Sequence, residues 1–224
     1  MKSLLSNIKI NVNDRLYLKD PESTDLGKKI VSKSIEMIND LGFESFTFRK
    51  LGLEIGSNES SIYRYFESKH KLLLYLASWY WGWMEYQLVF STTNVSNPKA
   101  RLDSAIEVLT RTVTSDDLFE HIDEAALSKL VINEYSKSYL TKEVDNENKE
   151  GYFAIYKRLV LRLSDLIQAN SESYEFPHSL ASTIIEGVLH QHFLRDHFKS
   201  LTDCNATIEP TEYFKNLVSK VLTN

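Results

Sequence analysis

The sequence is poor in the residues that cross-link chains or interrupt helices. Its 224 residues include one cysteine, four prolines and seven glycines. A single cysteine excludes an internal disulfide framework and fits a reducing compartment, and so few prolines and glycines favour an all-helical protein. We find no apolar run of about 18 residues and no signal-peptide pattern. The composition therefore predicts an all-α, cytoplasmic protein that has no contact with a membrane.

The acidic net charge of −5 is unevenly distributed along the chain. Residues 1–73 carry 12 basic and 10 acidic side chains, a balance of +2, whereas residues 74–224 carry 14 and 21, a balance of −7. The local field rather than the total charge attracts phosphate, so an acidic body with a near-neutral or basic head is compatible with DNA binding. The charge is consistent with such a head and does not establish one.

The N-terminal third has the spacing of a helix-turn-helix. Apolar residues at helical intervals predict a first helix over about residues 26–41, which ends at Gly42. Thr47 is a good N-cap for a second, shorter helix that Gly56 breaks. Two short helices around a glycine turn are thus expected to follow a supporting helix.

A third helix of about two turns is predicted to present polar side chains from a small apolar anchor. Asn58 is a good N-cap for it, because its side-chain oxygen can accept a free amide of the first turn. Ile62 and Phe66 lie on one face at i, i+4, and polar residues fall away from that face. Ser68 then caps a fourth helix, whose first side chains are basic and lie beside free backbone amides, an arrangement that suits a phosphate. This is the chemistry of a nucleic-acid contact.

At these residues the sequence resembles the TetR family of bacterial transcriptional regulators. The resemblance covers about residues 26–80, and departs from the family pattern at Gly52, usually alanine, at Ser57, usually valine or isoleucine, and at the acidic Glu59. The matching positions are Gly42-Phe43, Phe46-Thr47-Phe48-Arg49, Leu51, Ile55-Gly56, Ile62-Tyr63-Arg64-Tyr65-Phe66, Ser68-Lys69 and Leu72-Leu73.

The resemblance implies a DNA-binding head at residues 26–68 and a ligand-sensing, dimerising body at residues 69–224. It implies a homodimer on a palindromic operator, usually acting as a repressor that a small molecule releases. We expect no catalytic residue, cofactor or metal ion. The operator contacts that it implies are Thr47, Arg49, Ser60, Tyr63, Tyr65 and Lys69, the last three mostly to phosphate, with base reading by Arg49, Ser60, Ser61 and Arg64. Lys28 and Asn58 complete the predicted DNA-binding set.

Residues 1–25 precede the head and leave three alternatives open. Apolar and polar residues alternate around a turn signal at Asn13-Asp14, which allows a small hairpin or an extended arm. A partly disordered tail fits the same residues equally well.

The fourth helix, from Lys69 to about Phe90, carries the aromatic run SWYWGWMEY at residues 78–86. Rings with polar tips occur in protein cores and also line ligand cavities, and both interpretations stay open. A cavity of this kind suits an apolar or aromatic molecule whose polar group is oriented by Glu85, Gln87 or Glu134. The candidate ligand-binding residues are Trp79, Tyr80, Trp83, Glu85, Tyr86, Leu109, Leu130 and Glu134.

Two later helices, about residues 152–169 and 177–198, have apolar faces wider than the core of one chain is expected to need. Such faces predict a four-helix dimer interface. The residues assigned to it are Tyr156, Leu159, Leu163, Ile184, Ile185, Val188 and His192. The stretch before them, residues 141–151, has one apolar residue and many charges, which predicts a loop or a solvated helix start.

Two other classes of protein stay open. A helical adaptor could keep the fold of the head without reading DNA, as Glu59 and the modest basicity suggest. An enzyme is the weaker alternative, because an aromatic pocket with Glu85, Glu134 or His121 could hold acid-base groups. However, we find no phosphate-binding loop, nucleophile elbow or paired zinc motif in the sequence.

Overall fold

The computed structural model describes residues 9–115, 119 and 121–222, and this part of the chain contains helices, turns and loops but no strand. The prediction of an all-α protein is confirmed. Among the described residues, no helix has the length and apolar character needed to cross a membrane. The α-helices are α1 Asp25–Leu41, α2 Phe48–Ile55, α3 Glu59–Tyr63, α4 Lys69–Thr92, α5 Pro98–Thr110, α6 Glu124–Tyr139, α7 Val144–Lys149, α8 Ala154–Asn170, α9 Pro177–His197 and α10 Pro210–Leu222.

The chain divides into two compact units. The first comprises the described residues up to Gly82 together with those of Val113–Ala154. The second comprises Trp83–Thr112 and the described residues from Ile155 onward. The helix α4 therefore contributes residues to both units.

The segment before α1 folds onto the first unit. Residues 9–25 form no hairpin; instead, 3₁₀ helices occur at Asp14–Leu16 and Pro21–Ser23. Leu16 is buried, and the Leu18 N–H donates to the carbonyl of Tyr65 at 2.8 Å. These contacts hold residues 9–25 against the first unit, and residues 1–8 of the predicted arm lie outside the described residues.

A glycine in α1 permits this segment to dock closely. A Cβ atom at Gly27 would lie 2.2 Å from the carbonyl oxygen of Pro21. A side chain there would push the 3₁₀ helix at Pro21–Ser23 away from α1. The close approach of two backbones thus requires glycine at this position.

The charged stretch at residues 141–151 is more ordered than its composition suggests. It contains the helix α7, and the Glu147 side chain on that helix is buried. One carboxylate oxygen of Glu147 lies 2.7 Å from Nε2 of His70, near the start of α4. The prediction of a solvated segment is therefore wrong at Glu147, because its carboxylate is hydrogen-bonded to His70, 77 residues earlier in the chain.

In the second unit α10 packs against α5 and α9, and α9 also contacts α5. The imidazole of His192 on α9 is buried and donates from Nε2 to the carbonyl of Thr110 at 3.2 Å. The hydroxyl of Thr110 in turn donates to the hydroxyl of Thr211 at 3.0 Å. A short polar chain thus joins α9, the end of α5 and the start of α10.

The apolar faces of α8 and α9 are used within one protomer. The predicted interface residues that are buried in the single chain are Leu159, Leu163, Ile184, Ile185, Val188 and His192. A side chain that is already covered by its own chain has no surface left to bury against a partner. This corrects the assignment made from the sequence. Of the seven residues, Tyr156 alone is half-exposed, and its hydroxyl lies 2.7 Å from the Glu186 carboxylate.

Replacing Leu163 by alanine should therefore unfold the second unit more easily rather than dissociate a dimer. Leu163 is 0% exposed, so we expect the cavity to lower the free energy of unfolding by about 2–5 kcal/mol. Leu161 on the same helix is 49% exposed, and Leu161→Ala should change that free energy by no more than about 0.5 kcal/mol. Urea denaturation at fixed protein concentration measures the free energy of unfolding of both variants. A Leu163→Ala protein of normal stability that has lost mass in light scattering would contradict this prediction.

Acidification should destabilise the fold through His192. Burial lowers the pKa of the His192 imidazole, and the nearby Arg195 lowers it further, although the hydrogen bond to Thr110 opposes both. Because the unfolded chain takes up the proton first, stability falls as the pH drops below about 6.5 and until the depressed pKa is passed. The slope for one proton is at most about 1.4 kcal/mol per pH unit.

This effect can be isolated by comparing two histidines on α9. Melting temperatures measured between about pH 7.5 and about pH 5.5 should fall less in His192→Gln than in the unmodified protein. The exposed His190 provides the matched control, and His190→Gln should keep the full dependence. An unchanged pH dependence in His192→Gln would show that other groups cause it.

Candidate nucleic-acid interface

The second helix of the head, α2, is fixed at both ends by local hydrogen bonds. The hydroxyl of Thr47 accepts the N–H of Lys50 at 3.2 Å, which is the predicted N-cap. Gly56 ends the helix with φ of 67°, in the left-handed region, and the N–H of Ser57 donates to the carbonyl of Gly52 at 2.8 Å. The turn into α3 is therefore tightly defined.

The tightness of this turn explains one departure from the family pattern. A Cβ atom at Gly52 would lie 2.8 Å from the carbonyl oxygen of Ser57 and 3.3 Å from the backbone nitrogen of Glu59. Alanine, the usual residue of the family here, would require the backbone of the turn to move. Glycine is thus a requirement of this particular turn.

The third helix, α3, is anchored as predicted but capped differently. Ile62 and Phe66 are fully buried, and the ring of Tyr63 packs edge-on against Phe48 of α2 at 5.0 Å. The Asn58 side chain makes no capping hydrogen bond, so the prediction of a side-chain cap is wrong. Its backbone carbonyl accepts the N–H of Ser61 instead, which leaves the exposed amide side chain of Asn58 available for other contacts.

Most predicted DNA-binding side chains lie on the outer surface of α2, α3 and the adjoining turns. The exposed ones are Thr47, Arg49, Asn58, Ser60, Tyr63 and Arg64, while Lys28, Ser61 and Lys69 are half-buried. Among the described residues, the guanidinium groups of Arg49 and Arg64 have no ion-pair or hydrogen-bond partner. Two unpaired cations and several hydroxyl groups on one short helical hairpin can serve phosphates and base edges.

Tyr65 differs from the other predicted contacts. Only 3% of it is exposed, and its hydroxyl lies 2.7 Å from the hydroxyl of Thr24, which caps α1. The ring therefore joins the turn after α3 to the start of α1. We assign Tyr65 a structural role in the head and leave it out of the proposed DNA surface.

Two lysines of the head have partners that no sequence pattern indicated. The ammonium group of Lys29 donates to the carbonyl of Ile55 at 3.0 Å, at the last residue of α2. The ammonium group of Lys50 donates to the carbonyl of Ser45 at 2.8 Å. Cations near carbonyls at a helix C-terminus are favourable, so Lys29 secures the orientation of α2 against α1.

Four of the predicted ligand-binding residues belong to the first unit, and all four are buried. The ring of Trp79 meets Phe119 edge-on at 4.8 Å, and Leu130 lies in the core. Burial raises the pKa of the Tyr80 hydroxyl to about 12. Glu134 accepts the N–H of Phe43 at 3.0 Å and the ammonium group of Lys137 at 2.5 Å, so its carboxylate needs no ligand to satisfy it.

The other four belong to the second unit. Trp83, Glu85 and Leu109 are buried, and Tyr86 stacks on Phe90 at 6.2 Å. The Glu85 carboxylate accepts hydrogen bonds from Arg158 at 2.6 and 2.7 Å and from Arg162 at 2.7 Å.

The ion pairs of Glu85 decide its charge state. Burial alone would raise the pKa of the Glu85 carboxyl, but the hydrogen bonds and charges of Arg158 and Arg162 outweigh burial and lower it. Glu85 is therefore ionised and already paired at neutral pH.

A cavity of about 500 Å³ lies in the second unit, at the end of α4. Its apolar lining includes Leu88, Val89 and Leu166, and its charged lining is Arg101, Arg162 and Asp165. The volume falls within the range of small-molecule sites.

A family model places the head among known proteins. Residues 30–76 match the model described as bacterial regulatory proteins of the tetR family. The head of the chain is therefore similar to the DNA-binding head of TetR family proteins. The match begins inside α1 and ends inside α4, so it contains the whole TetR helix-turn-helix described above, including α2, α3 and the turn at Gly52.

Solved structures share the TetR fold along most of the chain. A tetR family regulatory protein from Rhodococcus RHA1 is 15% identical, with a TM-score of 0.62 over 89% of this chain and 96% of its own. AibR in complex with isovaleryl coenzyme A and operator DNA is 17% identical, with a TM-score of 0.57 over 86% and 96%. The ketosteroid transcriptional regulator KstR2 of Mycobacterium tuberculosis is 14% identical, with a TM-score of 0.54 over 97% of both chains. No curated protein matched the sequence. The TetR resemblance seen in the head thus extends, as a fold, into the body.

Proposed function

We propose that this TetR family transcriptional regulator reads operator DNA with the exposed surface of α2 and α3. The observation that carries the proposal is a pair of guanidinium groups, Arg49 and Arg64, that have no partner in the part of the chain that the structure describes. They lie on a hairpin whose helix ends are fixed by local hydrogen bonds. Arginine is the commonest side chain to read guanine in the major groove, where it can form two parallel hydrogen bonds. The serines of α3 and Tyr63 supply hydroxyl groups for phosphate and base edges.

We infer that the regulator acts as a homodimer on a palindromic site. A two-fold dimer would place its two heads in successive major grooves about 34–36 Å apart. The interface then uses surfaces other than the buried faces of α8 and α9. The half-exposed Tyr156 is the one residue of the predicted interface that remains available for it.

We infer that a small molecule controls DNA binding and that the protein represses its target genes without it. Two related folds support this inference, since AibR was solved with isovaleryl coenzyme A and KstR2 is a ketosteroid regulator. The aromatic side chains of the first unit favour an apolar or aromatic ligand. The cavity lined by Arg101, Arg162 and Asp165 is the alternative site. A regulator of this kind is not an enzyme, and it works in the cytoplasm, where its DNA lies.

Alanine substitutions on α2 and α1 should separate base reading from phosphate binding. A duplex selected with the unmodified protein from a random-sequence pool serves as the specific probe, and an unselected duplex serves as the non-specific one. Arg49→Ala should lower affinity for the selected duplex by about 1–3 kcal/mol and relax its specificity. Lys28→Ala should lower the affinity for both duplexes by the same factor. It should also reduce the slope of log affinity against log salt by about one.

Fluorescence anisotropy at several salt concentrations measures both effects. Lys99→Ala, which removes an exposed lysine of α5, is the matched control and should change neither affinity nor slope. If the unmodified protein shows no preference for any duplex after selection, the adaptor alternative is correct and the DNA-reading proposal fails.

The ligand proposal can be tested with the three tryptophans as local probes. Trp79 and Trp81 belong to the first unit and Trp83 to the second. Isovaleryl coenzyme A, a ketosteroid and an aromatic acid should be titrated against single-tryptophan variants, with and without the selected duplex. A ligand bound in the first unit should change the fluorescence of Trp79 or Trp81 more than that of Trp83. Thermodynamic linkage requires that the duplex lowers the affinity for the ligand by the same factor by which the ligand lowers the affinity for the duplex. This factor is typically about 5- to 150-fold. Equal ligand affinities in both titrations would disprove the coupling.

A further inference from the structure

The turn that connects α1 to α2 is held by side chains from two distant helices. It runs from Gly42, which ends α1 with φ of 76°, to Phe46, whose N–H donates to the Gly42 carbonyl at 3.2 Å. Phe43 and Phe46 are both buried. The next residue, Thr47, caps α2, so the position of this turn sets the position of the helix that carries Arg49.

The first clamp on the turn is Lys69, the first residue of α4. Its ammonium group donates to the carbonyls of Phe43 at 3.0 Å, Glu44 at 3.1 Å and Phe46 at 3.4 Å. It also lies 4.7 Å from the centroid of the Phe43 ring. A lysine has three donors, and three backbone carbonyls occupy them here. A phosphate could bind this ammonium group only by replacing hydrogen bonds that hold the turn.

The second clamp is on α6. The buried carboxylate of Glu134 accepts the backbone N–H of Phe43 at 3.0 Å and the ammonium group of Lys137 at 2.5 Å. That ammonium group also lies 3.7 Å from the carboxylate of Glu44. Phe43 N–H is thus satisfied by a side chain 91 residues further along the chain.

We propose that Lys69 and Glu134 are positioning residues for DNA binding. Together they hold the Gly42–Phe46 turn from its carbonyl side and its amide side, and so fix the orientation of α2. Lys69 contributes to operator affinity through the turn and not through phosphate. This departs from the expectation that the family resemblance gave for Lys69.

The inference deepens the proposed function and rests on it. It also names where a ligand signal can reach the head, because both clamps belong to helices that line the aromatic core of the first unit. Trp79 lies ten residues after Lys69 on α4, about 15 Å along the helix axis. Leu130 lies one turn before Glu134 on α6. A displacement of either helix changes the hydrogen bonds of the same turn.

The test compares charge-removing variants with conservative ones. Lys69→Met removes the ammonium group but keeps an unbranched side chain. Glu134→Leu removes the acceptor of Phe43 N–H, whereas Glu134→Gln keeps an amide oxygen that can accept it. Lys99→Met is the control for loss of one positive charge elsewhere. Each variant is assayed with the selected and unselected duplexes, well below its melting temperature, and amide hydrogen exchange is followed by NMR.

Three results are expected. Lys69→Met and Glu134→Leu should lower the ratio of selected to unselected affinity about tenfold, the effect of losing one good base contact. The slope of log affinity against log salt should stay unchanged in Lys69→Met, whereas loss of a phosphate contact would reduce it by about 0.9. The Phe43 amide should exchange about tenfold faster in Glu134→Leu and remain protected in Glu134→Gln, which should also keep the affinity ratio.

The outcomes distinguish positioning from the alternatives. A salt slope reduced by about one in Lys69→Met would show that Lys69 neutralises a phosphate and would overturn the proposal. An unchanged affinity ratio in folded Lys69→Met and Glu134→Leu would show a purely structural role and also overturn it. If Glu134→Leu does not fold, the proposal is decided by two other measurements. These are the affinity ratio and salt slope of Lys69→Met and the exchange rate of the Phe43 amide in Glu134→Gln. If the unmodified protein itself does not discriminate between the duplexes, the proposed function fails, while the exchange measurement still reports whether Glu134 holds the turn.

Discussion

Burial of α4 on almost every side is the constraint on which the rest of the structure depends. Its buried residues follow one another with few gaps: Leu72, Leu73, Leu74, Tyr75, Leu76, Ala77, Ser78, Trp79, Tyr80, Trp81, Trp83, Met84, Glu85 and Leu88. A helix that is apolar around its whole circumference has to be surrounded by other helices. The same helix begins beside the turn of the DNA-binding head and carries the aromatic residues of the first unit.

Charged side chains inside this fold serve mainly to hold backbone or other charges in place. Glu134 satisfies a buried N–H, Lys69 satisfies three carbonyls, and Glu85 pairs with two arginines. A buried ionised group is costly unless it is paired and hydrogen-bonded, so each of these contacts makes one arrangement of helices strongly preferred. Among the described residues, Arg49 on α2 and Arg64 at the end of α3 have no such partner, and these are the groups that the proposed function assigns to DNA.

The sequence by itself determined the all-α class, most helix ends of the head and the resemblance of the head to the TetR family. Caps and helix breakers such as Thr47, Gly56 and Ser68 act on amides within about four residues, so their effects can be read locally. The spacing of Ile62 and Phe66 likewise identified the anchor of α3. The predicted side-chain cap at Asn58 is wrong even though it involves only neighbouring residues. The backbone carbonyl of Asn58, and not its side chain, accepts the N–H of the first turn.

The tertiary structure alone decided which long side chains pair and which apolar faces are core. Lys69, Glu134 and Glu147 find partners 26, 91 and 77 residues away, and no periodicity encodes such distances. The wide apolar faces of α8 and α9 correctly indicated burial but not what covers them. Hydrophobic burial is non-directional, so the pattern does not say whether a face is covered by its own chain or by a second one.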